Sequence, residues 1–248
     1  IASAAAVLSQ EEMEAGIALV DIGGGTTDLA IFHEGIIRHT AVIPFGGNVI
    51  TNDIKEGCQI MQRQAEVLKI RFGSASASEN RENEVVCIPG LRGRDPKEIT
   101  LKNLSRIIQA RMEEIIELVN YEIKNSGYSK KLIGGIVVTG GGSQLKHINQ
   151  LIEFTSGMDS RIGYPNEHLA ANHIAELEKP MYATCIGLIL KGYNVYENNQ
   201  NKLNPHANKT VAKAETEAQT EEGDVVVAAV PTKGRKTLSD FMNTIKDG

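Results

Sequence analysis

The chain has 248 residues, 41% of them hydrophobic and 23% charged, with a formal net charge of −5. That balance suits one large globular unit or two small ones with a real core, and without any Lys/Arg block it argues against a nucleic-acid partner. Three separated cysteines, Cys58, Cys87 and Cys185, make no Cys/His cluster or disulfide framework, and no apolar run approaches the ~20 residues that span a membrane.

The chain opens on "IASAAAVLSQ", without Met and inside an Ala-rich helical pattern. It reads as a piece whose N-terminal part is absent, with a helix over residues 2–14. Ile17–Ile22 is an apolar run of strand length, and "GGGTTD" turns it into a second strand around Leu29–Phe32. "HEG" at 33–35 is a hairpin turn into a third strand, Ile36–Ile43, which "PFGG" breaks. One helix is expected within 48–56 and another over Gln59–Phe72, followed by a small polar loop at 73–84. "VVCIPGLRGRDPKEITL" reads as two short strands around a Gly/Pro turn. Residues 103–125 carry the clearest helical period, with Asn103 as candidate N-cap. "IGGIVVTGGGS" is a buried strand entering a second glycine turn. A helix over Gln144–Thr155, a strand at Arg161–Gly163 and a small-residue helix over Met181–Leu190 complete the ordered part. From about Tyr196 the sequence turns polar and reads as disordered. Near the end, Leu238, Phe241, Met242 and Ile245 recur at i, i+3, i+4 and i+7 beside Lys233, Arg235, Lys236 and Lys246, an amphipathic stripe.

The two glycine turns carry the chemistry. Gly23, Gly24 and Gly25 have no Cβ. They are free to take positive φ and turn successive N–H groups toward one anion, with Thr26 and Thr27 adding hydroxyls. Asp21, at the strand's end, is placed to hold a metal-bound water beside phosphates. There is no GK[ST] and no helix after the turn, so this is not a Walker loop. The second turn, Gly140, Gly141, Gly142 and Ser143, also ends a buried strand and suits a planar group near a helix N-terminus. Two such turns suggest the two walls of one nucleotide cleft. In "QAEVLKI", Glu66 and Lys69 stand at i and i+3 on one helix face; from spacing alone they are a surface ion pair. On the 103–125 helix, Arg111 falls inside the apolar arc of Leu104, Ile108, Met112 and Ile115 at about 100° per residue, where it must snorkel, pair or serve a partner.

Taken together, "IASAAAVL", "DIGGGTTD", "VVTGGGSQL" and "YATCIGLIL" resemble, in order, the first connecting helix, second phosphate motif, adenosine motif and second connecting helix of the actin, sugar-kinase and heat-shock-chaperone ATPase superfamily. "AVIPFGGNVITNDI", "RMEEIIELVNYEI" and "SRIGYP" are similar to its FtsA family. The resemblance covers about residues 1–193. It implies an α/β fold: the second half of an actin-like (ribonuclease-H-like) ATPase domain, with a mixed sheet flanked by helices. Residues 1–16 would be the first connecting helix, 17–47 subdomain IIA, 48–132 subdomain IIB and 133–195 the return to IIA. A linker, 196–232, and a membrane helix, 233–248, would follow.

The same likeness implies ATP and Mg as cofactors. Asp21 would organise Mg through water. Gly23, Gly24, Gly25 and Thr26 would hold phosphates, Glu66 and Lys69 the ribose, and Gly140 to Ser143 the adenine. The superfamily's first phosphate loop is not in the chain, so only weak nucleotide binding and no hydrolysis are expected of it alone. The likeness further implies filament formation with copies of itself, and binding of the FtsZ C-terminal tail with Arg111 contributing. It also implies peripheral attachment to the inner face of the cell membrane through Leu238, Phe241, Met242 and Ile245. A sugar-kinase or polyphosphatase relative is the enzymatic alternative. A chaperone relative would continue into a β-rich domain that the polar tail does not favour.

Overall fold

A computed structural model describes residues 1–81, 83–90, 95–165, 169 and 174–203. The stripe at Leu238, Phe241, Met242 and Ile245 lies outside the described residues.

Strands β1 (Ile17–Ile22), β2 (Thr27–His33), β3 (Ile36–Ile43), β6 (Ile136–Thr139) and β7 (Ser160–Ile162) form a sheet in the order β3-β2-β1-β6-β7. The β1–β2–β3 meander is antiparallel, whereas β1–β6 and β6–β7 are parallel, so the sheet is mixed. β1 lies at its centre, buried on both faces, which is why "IALV" is an unbroken apolar run rather than an alternating one. Ile17 and Leu19 face one core with Phe32, Val137, Ala183 and Ile186. Ala18, Val20 and Ile22 face the other, with Ile50, Leu104, Met112 and Ile115.

The second core is built by helices α3 (Gly47–Cys58), α4 (Gln62–Phe72), α5 (Leu101–Asn125) and α6 (Ile148–Ser156). The short hairpin β4 (Val85–Ile88) and β5 (Lys97–Thr100) pairs separately and leads into α5. The first core is covered by α1 (Ala4–Val7) and α7 (Ala183–Leu203). These two helices cross so closely that a Cβ on Gly187 would stand 1.8 Å from the Ala2 carbonyl oxygen. The small residues of "IASAAAVL" and "YATCIGLIL" are what let the backbones approach.

Several boundaries differ from the sequence expectation, each for a local reason. Residues 2–14 are two helices, α1 and α2 (Gln10–Ala15). Ser9 breaks the run because it caps α2. Its hydroxyl accepts from the Glu12 amide at 3.2 Å, and Glu12 accepts from the Ser9 amide at 2.9 Å. Arg161 then clamps the junction, bonding both carboxylate oxygens of Glu12 at 2.7 Å and the Val7 carbonyl at 2.9 Å. Gln59 takes a left-handed conformation, φ 48°, ending α3 and delaying α4 to Gln62. α5 starts earlier than expected, capped by Thr100 Oγ1 rather than Asn103. α6 starts later, because Lys146 pairs with Ser74 and accepts from the Ala75 amide at 2.8 Å. The expected glycine turn takes the form of a single 3-10 turn, Gly141–Gln144. At the C-terminal side α7 continues to Leu203, past the Tyr196 boundary drawn from composition.

Candidate functional site

The two glycine turns do meet. Parallel pairing of β1 with β6 sets Asp21 beside Thr139, so the two strands end together and both turns leave the same edge. A cleft of about 450 Å³ opens there, lined among others by Gly23, Gly24, Asn48, Glu66, Lys69, Gly141, Gly142, Lys179 and Met181.

The first turn is held in an unexpected way. Gly23, Gly24 and Gly25 are absent from the glycines at positive φ among the described residues, so left-handed backbone is not why glycine is needed. Close approach constrains Gly23 mildly, a Cβ there standing 3.2 Å from Thr26 O, and leaves room at Gly24 and Gly25; the tight contact is at Gly46. The Gly47 amide donates to the Gly23 carbonyl at 2.9 Å and the Asn48 amide to the Gly24 carbonyl at 2.7 Å, while Gly23 N–H closes the turn onto Thr26 O at 2.9 Å. A side chain on Gly46 would meet the Gly23 and Gly24 carbonyl oxygens at 2.6 and 2.9 Å. Among the described residues, the amides of Gly24, Gly25 and Thr26 donate to no backbone carbonyl. They are three unspent donors at the hairpin tip.

The threonines contribute less than the sequence suggested. Thr27 is fully buried and its hydroxyl donates to the Phe45 carbonyl at 2.8 Å, fixing "PF" against the sheet. Thr26 Oγ1 donates to Asp28 Oδ2 at 3.1 Å.

In the second turn Gly140 does need to be glycine, with φ +83°. A Cβ there would lie 2.4 Å from Asp21 Oδ1 and 2.6 Å from the Ile22 carbonyl oxygen. Gly142 packs its bare Cα on Ile22. Ser143 is buried, its hydroxyl donating to the Gly140 carbonyl at 2.8 Å, so it shapes the loop from inside. Asp21 Oδ2 accepts from Thr184 Oγ1, at the start of α7, at 2.8 Å.

Glu66 and Lys69 stand on α4 at the cleft's side, 2.9 Å apart. Burial pushes the Glu66 carboxyl up, but hydrogen bonds from Lys69 and Thr51 outweigh it and hold the group below the ordinary 4.5. Asn48, Thr51, Lys179, Met181 and Thr184 also belong to this region, although the sequence marked four of them only as breaker or helix residues and gave Lys179 no element. The "GGN" after "PF" was the available signal.

Arg111 lies away from the cleft. Its Nε and Nη2 reach Asp53 Oδ2 and Oδ1 at 2.5 and 3.1 Å, Nη1 bonds Glu114, and its guanidinium carbon stands 6.0 Å from the Phe45 ring centroid. The hydrogen bond it donates to Asp53 raises its pKa further. Of the two structural readings, pairing is the one realised.

The profile described as "Cell division protein FtsA" matches residues 18–187. The chain belongs to the FtsA family. It is 40% identical over 192 residues to FtsA of Pseudomonas aeruginosa, covering 77% of this chain and 46% of that one. It is 34% identical over 218 residues to FtsA of Escherichia coli, covering 85% and 51%. The chain therefore spans about half the length of the curated FtsA relatives it matches. MreB5 of Spiroplasma citri, solved bound to ADP, superposes with a TM-score of 0.64 at 23% identity, covering 81% of this chain and 60% of that one. The fold is thus the actin-like α/β fold, and the FtsA cell-division family is the branch to which this chain belongs. No helix among the described residues is long and apolar enough to cross a membrane.

The lowered Glu66 pKa makes one expectation for pH. A carboxyl depressed in the folded state adds stability above its unfolded pKa of about 4.5, and that part is lost as pH falls through the folded value. Thermal melts should therefore show a melting-temperature gap between wild type and Glu66→Gln that is constant above about pH 5 and closes below it. A gap that does not change with pH would contradict the pairing.

Proposed function

We propose that the chain supplies one wall of an ATP site in a self-assembling FtsA-type division protein, which receives the FtsZ tail and rests on the inner face of the membrane. The observation that carries the nucleotide part is the set of unspent amides at Gly24, Gly25 and Thr26 beside a cleft floored by Gly141 and Gly142. An anion at the hairpin tip would satisfy those donors. Glu66 and Lys69 line the same cleft and would stand on its sugar side, while Gly141 and Gly142 would form the surface for the base, with the buried Gly140 and Ser143 shaping it from behind. The MreB5 structures of Spiroplasma citri, one bound to ADP and one to AMPPNP, support this reading by fold.

Asp21 suits magnesium through water: it is a half-buried carboxylate with a hydroxyl partner at Thr184. Among the described residues no cluster of three or more acidic, His or Cys side chains stands ready for a metal. The ion would take its other ligands from phosphate and water, as Mg²⁺ commonly does. Bound there, it would neutralise phosphate charge.

For the partner surface, Arg111 is held by Asp53 and Glu114 yet remains about a quarter exposed. That leaves a fixed, oriented guanidinium edge for the tail to contact. Self-association and the membrane stripe at Leu238, Phe241, Met242 and Ile245 rest on the family likeness and on the sequence pattern.

In an NMR titration of residues 1–248 with MgATP, shifts should saturate in about the millimolar range, near 4 kcal/mol of binding. They should fall at Gly23–Thr26, Glu66, Lys69 and Gly140–Ser143, and Asp21→Asn should remove their magnesium dependence. Silence at both turns would end the nucleotide reading.

Pelleting of the protein at its full length with anionic vesicles and FtsZ reads both attachments. Arg111→Met should lose FtsZ but keep the vesicles, at about 1 kcal/mol of stability for a partly exposed ion pair. Phe241→Asp should lose the vesicles. Undiminished pelleting of FtsZ or of protein by the matching variant contradicts that attachment.

A further inference from the structure

Glu66 and Lys69 are one turn apart, yet their surroundings divide their roles. The Lys69 side chain is 13% exposed against 42% for Glu66. Lys69 Nζ donates to the Gly47 carbonyl at 2.8 Å, to Thr51 Oγ1 at 2.7 Å and to Glu66 Oε2 at 2.9 Å. An ammonium has three protons and no acceptor, so none is left for a sugar. Glu66 Oε2 also accepts from Thr51 Oγ1 at 2.5 Å. Its Oε1 has no hydrogen bond among the described residues.

The Gly47 carbonyl shares a peptide group with the Asn48 N–H, which donates to the Gly24 carbonyl at 2.7 Å. The Gly24 carbonyl in turn shares a peptide group with the unspent Gly25 N–H. A chain of two hydrogen-bonded peptide groups thus runs from the Lys69 charge to a donor at the hairpin tip. Each link polarises the next in the same sense.

We propose that Lys69 is a positioning residue for the phosphate turn, acting through the Gly47–Asn48 and Gly24–Gly25 peptide groups, while Glu66 alone meets the sugar through Oε1. The phosphate and sugar assignments rest on the nucleotide reading above. The link from Lys69 to the turn does not.

The test uses residues 1–248 as wild type, Lys69→Met, Lys69→Arg and Glu66→Gln, each checked by its melting temperature. Without ligand, hydrogen exchange of the Asn48 amide should quicken about tenfold in Lys69→Met, with β1 amides unchanged. Lys69→Arg should fail to restore it, because a planar fork cannot meet three acceptors arranged around one nitrogen. Unchanged Asn48 exchange overturns the proposal.

With ligand, the probes are adenosine, 3′-deoxyadenosine and tripolyphosphate. Glu66→Gln should lose the preference for adenosine over its deoxy analogue, whereas Lys69→Met should keep it and weaken tripolyphosphate about tenfold. Loss of the sugar preference in Lys69→Met makes Lys69 a sugar ligand and overturns the proposal. If wild type binds none of the probes while Asn48 exchange still responds, the nucleotide reading fails and takes the phosphate role of Lys69 with it.

Discussion

The candidate site depends on two hydrogen bonds, from the Gly47 and Asn48 amides to the Gly23 and Gly24 carbonyls. The first amides of a helix have no partner within it and normally serve a cap, water or an anion. Here α3 gives them to the carbonyl side of the glycine turn. That has two consequences. The α3 start is closed without a side-chain cap, Gly46 providing none. The turn is also fixed with its other side, the Gly24, Gly25 and Thr26 amides, left facing outward. A free hairpin of three glycines would lose much conformational freedom on binding an anion; one tied at both carbonyls has already lost it.

The same economy of side chains recurs wherever the site needs a backbone in close contact with a neighbour. Gly46 admits the turn, Gly140 admits the Asp21 carboxylate, Gly142 admits Ile22, and Gly187 admits the Ala2 carbonyl. These contacts form a continuous path from the cleft through Asp21 and Thr184 to the crossing of α1 and α7. Charge is used sparingly along it. Lys69 is locked among three acceptors, and Arg111 is locked by two carboxylates, Asp53 of α3 and Glu114 of α5. Both cations are satisfied within the fold before any ligand or partner arrives.

The sheet was legible because its signals are local and strong. β1 and β3 carry the limits read from their apolar runs, Ile17–Ile22 and Ile36–Ile43. The Glu34 and Gly35 turn between β2 and β3 has the two positive φ values its tight geometry needs. Helix ends were less legible. Ser9 with Glu12 was a readable capping box that the surrounding alanines masked. The late start of α6 comes from pairing of Lys146 with Ser74, which nothing near Lys146 in the sequence announces. The glycine turns were legible as a pair but not in mechanism: Gly23 to Gly25 seemed to need positive φ, and only Gly140 has it. Thr51 and Thr184 could not be found from spacing, since their roles arise from contacts across the fold.

Gly46 offers the most direct measurement of this account. Its φ of −160° is extended backbone open to any residue, so alanine there changes only the contact with the Gly23 and Gly24 carbonyls. In Gly46→Ala the account predicts fast exchange at the Gly47 and Asn48 amides. It also predicts loss of the MgATP-induced shifts at Gly24, Gly25 and Thr26, with the β1 amides still protected. Wild-type exchange at Gly47 and Asn48 together with wild-type nucleotide shifts would contradict it, because the turn would then hold its shape without the contact on which the site is said to depend.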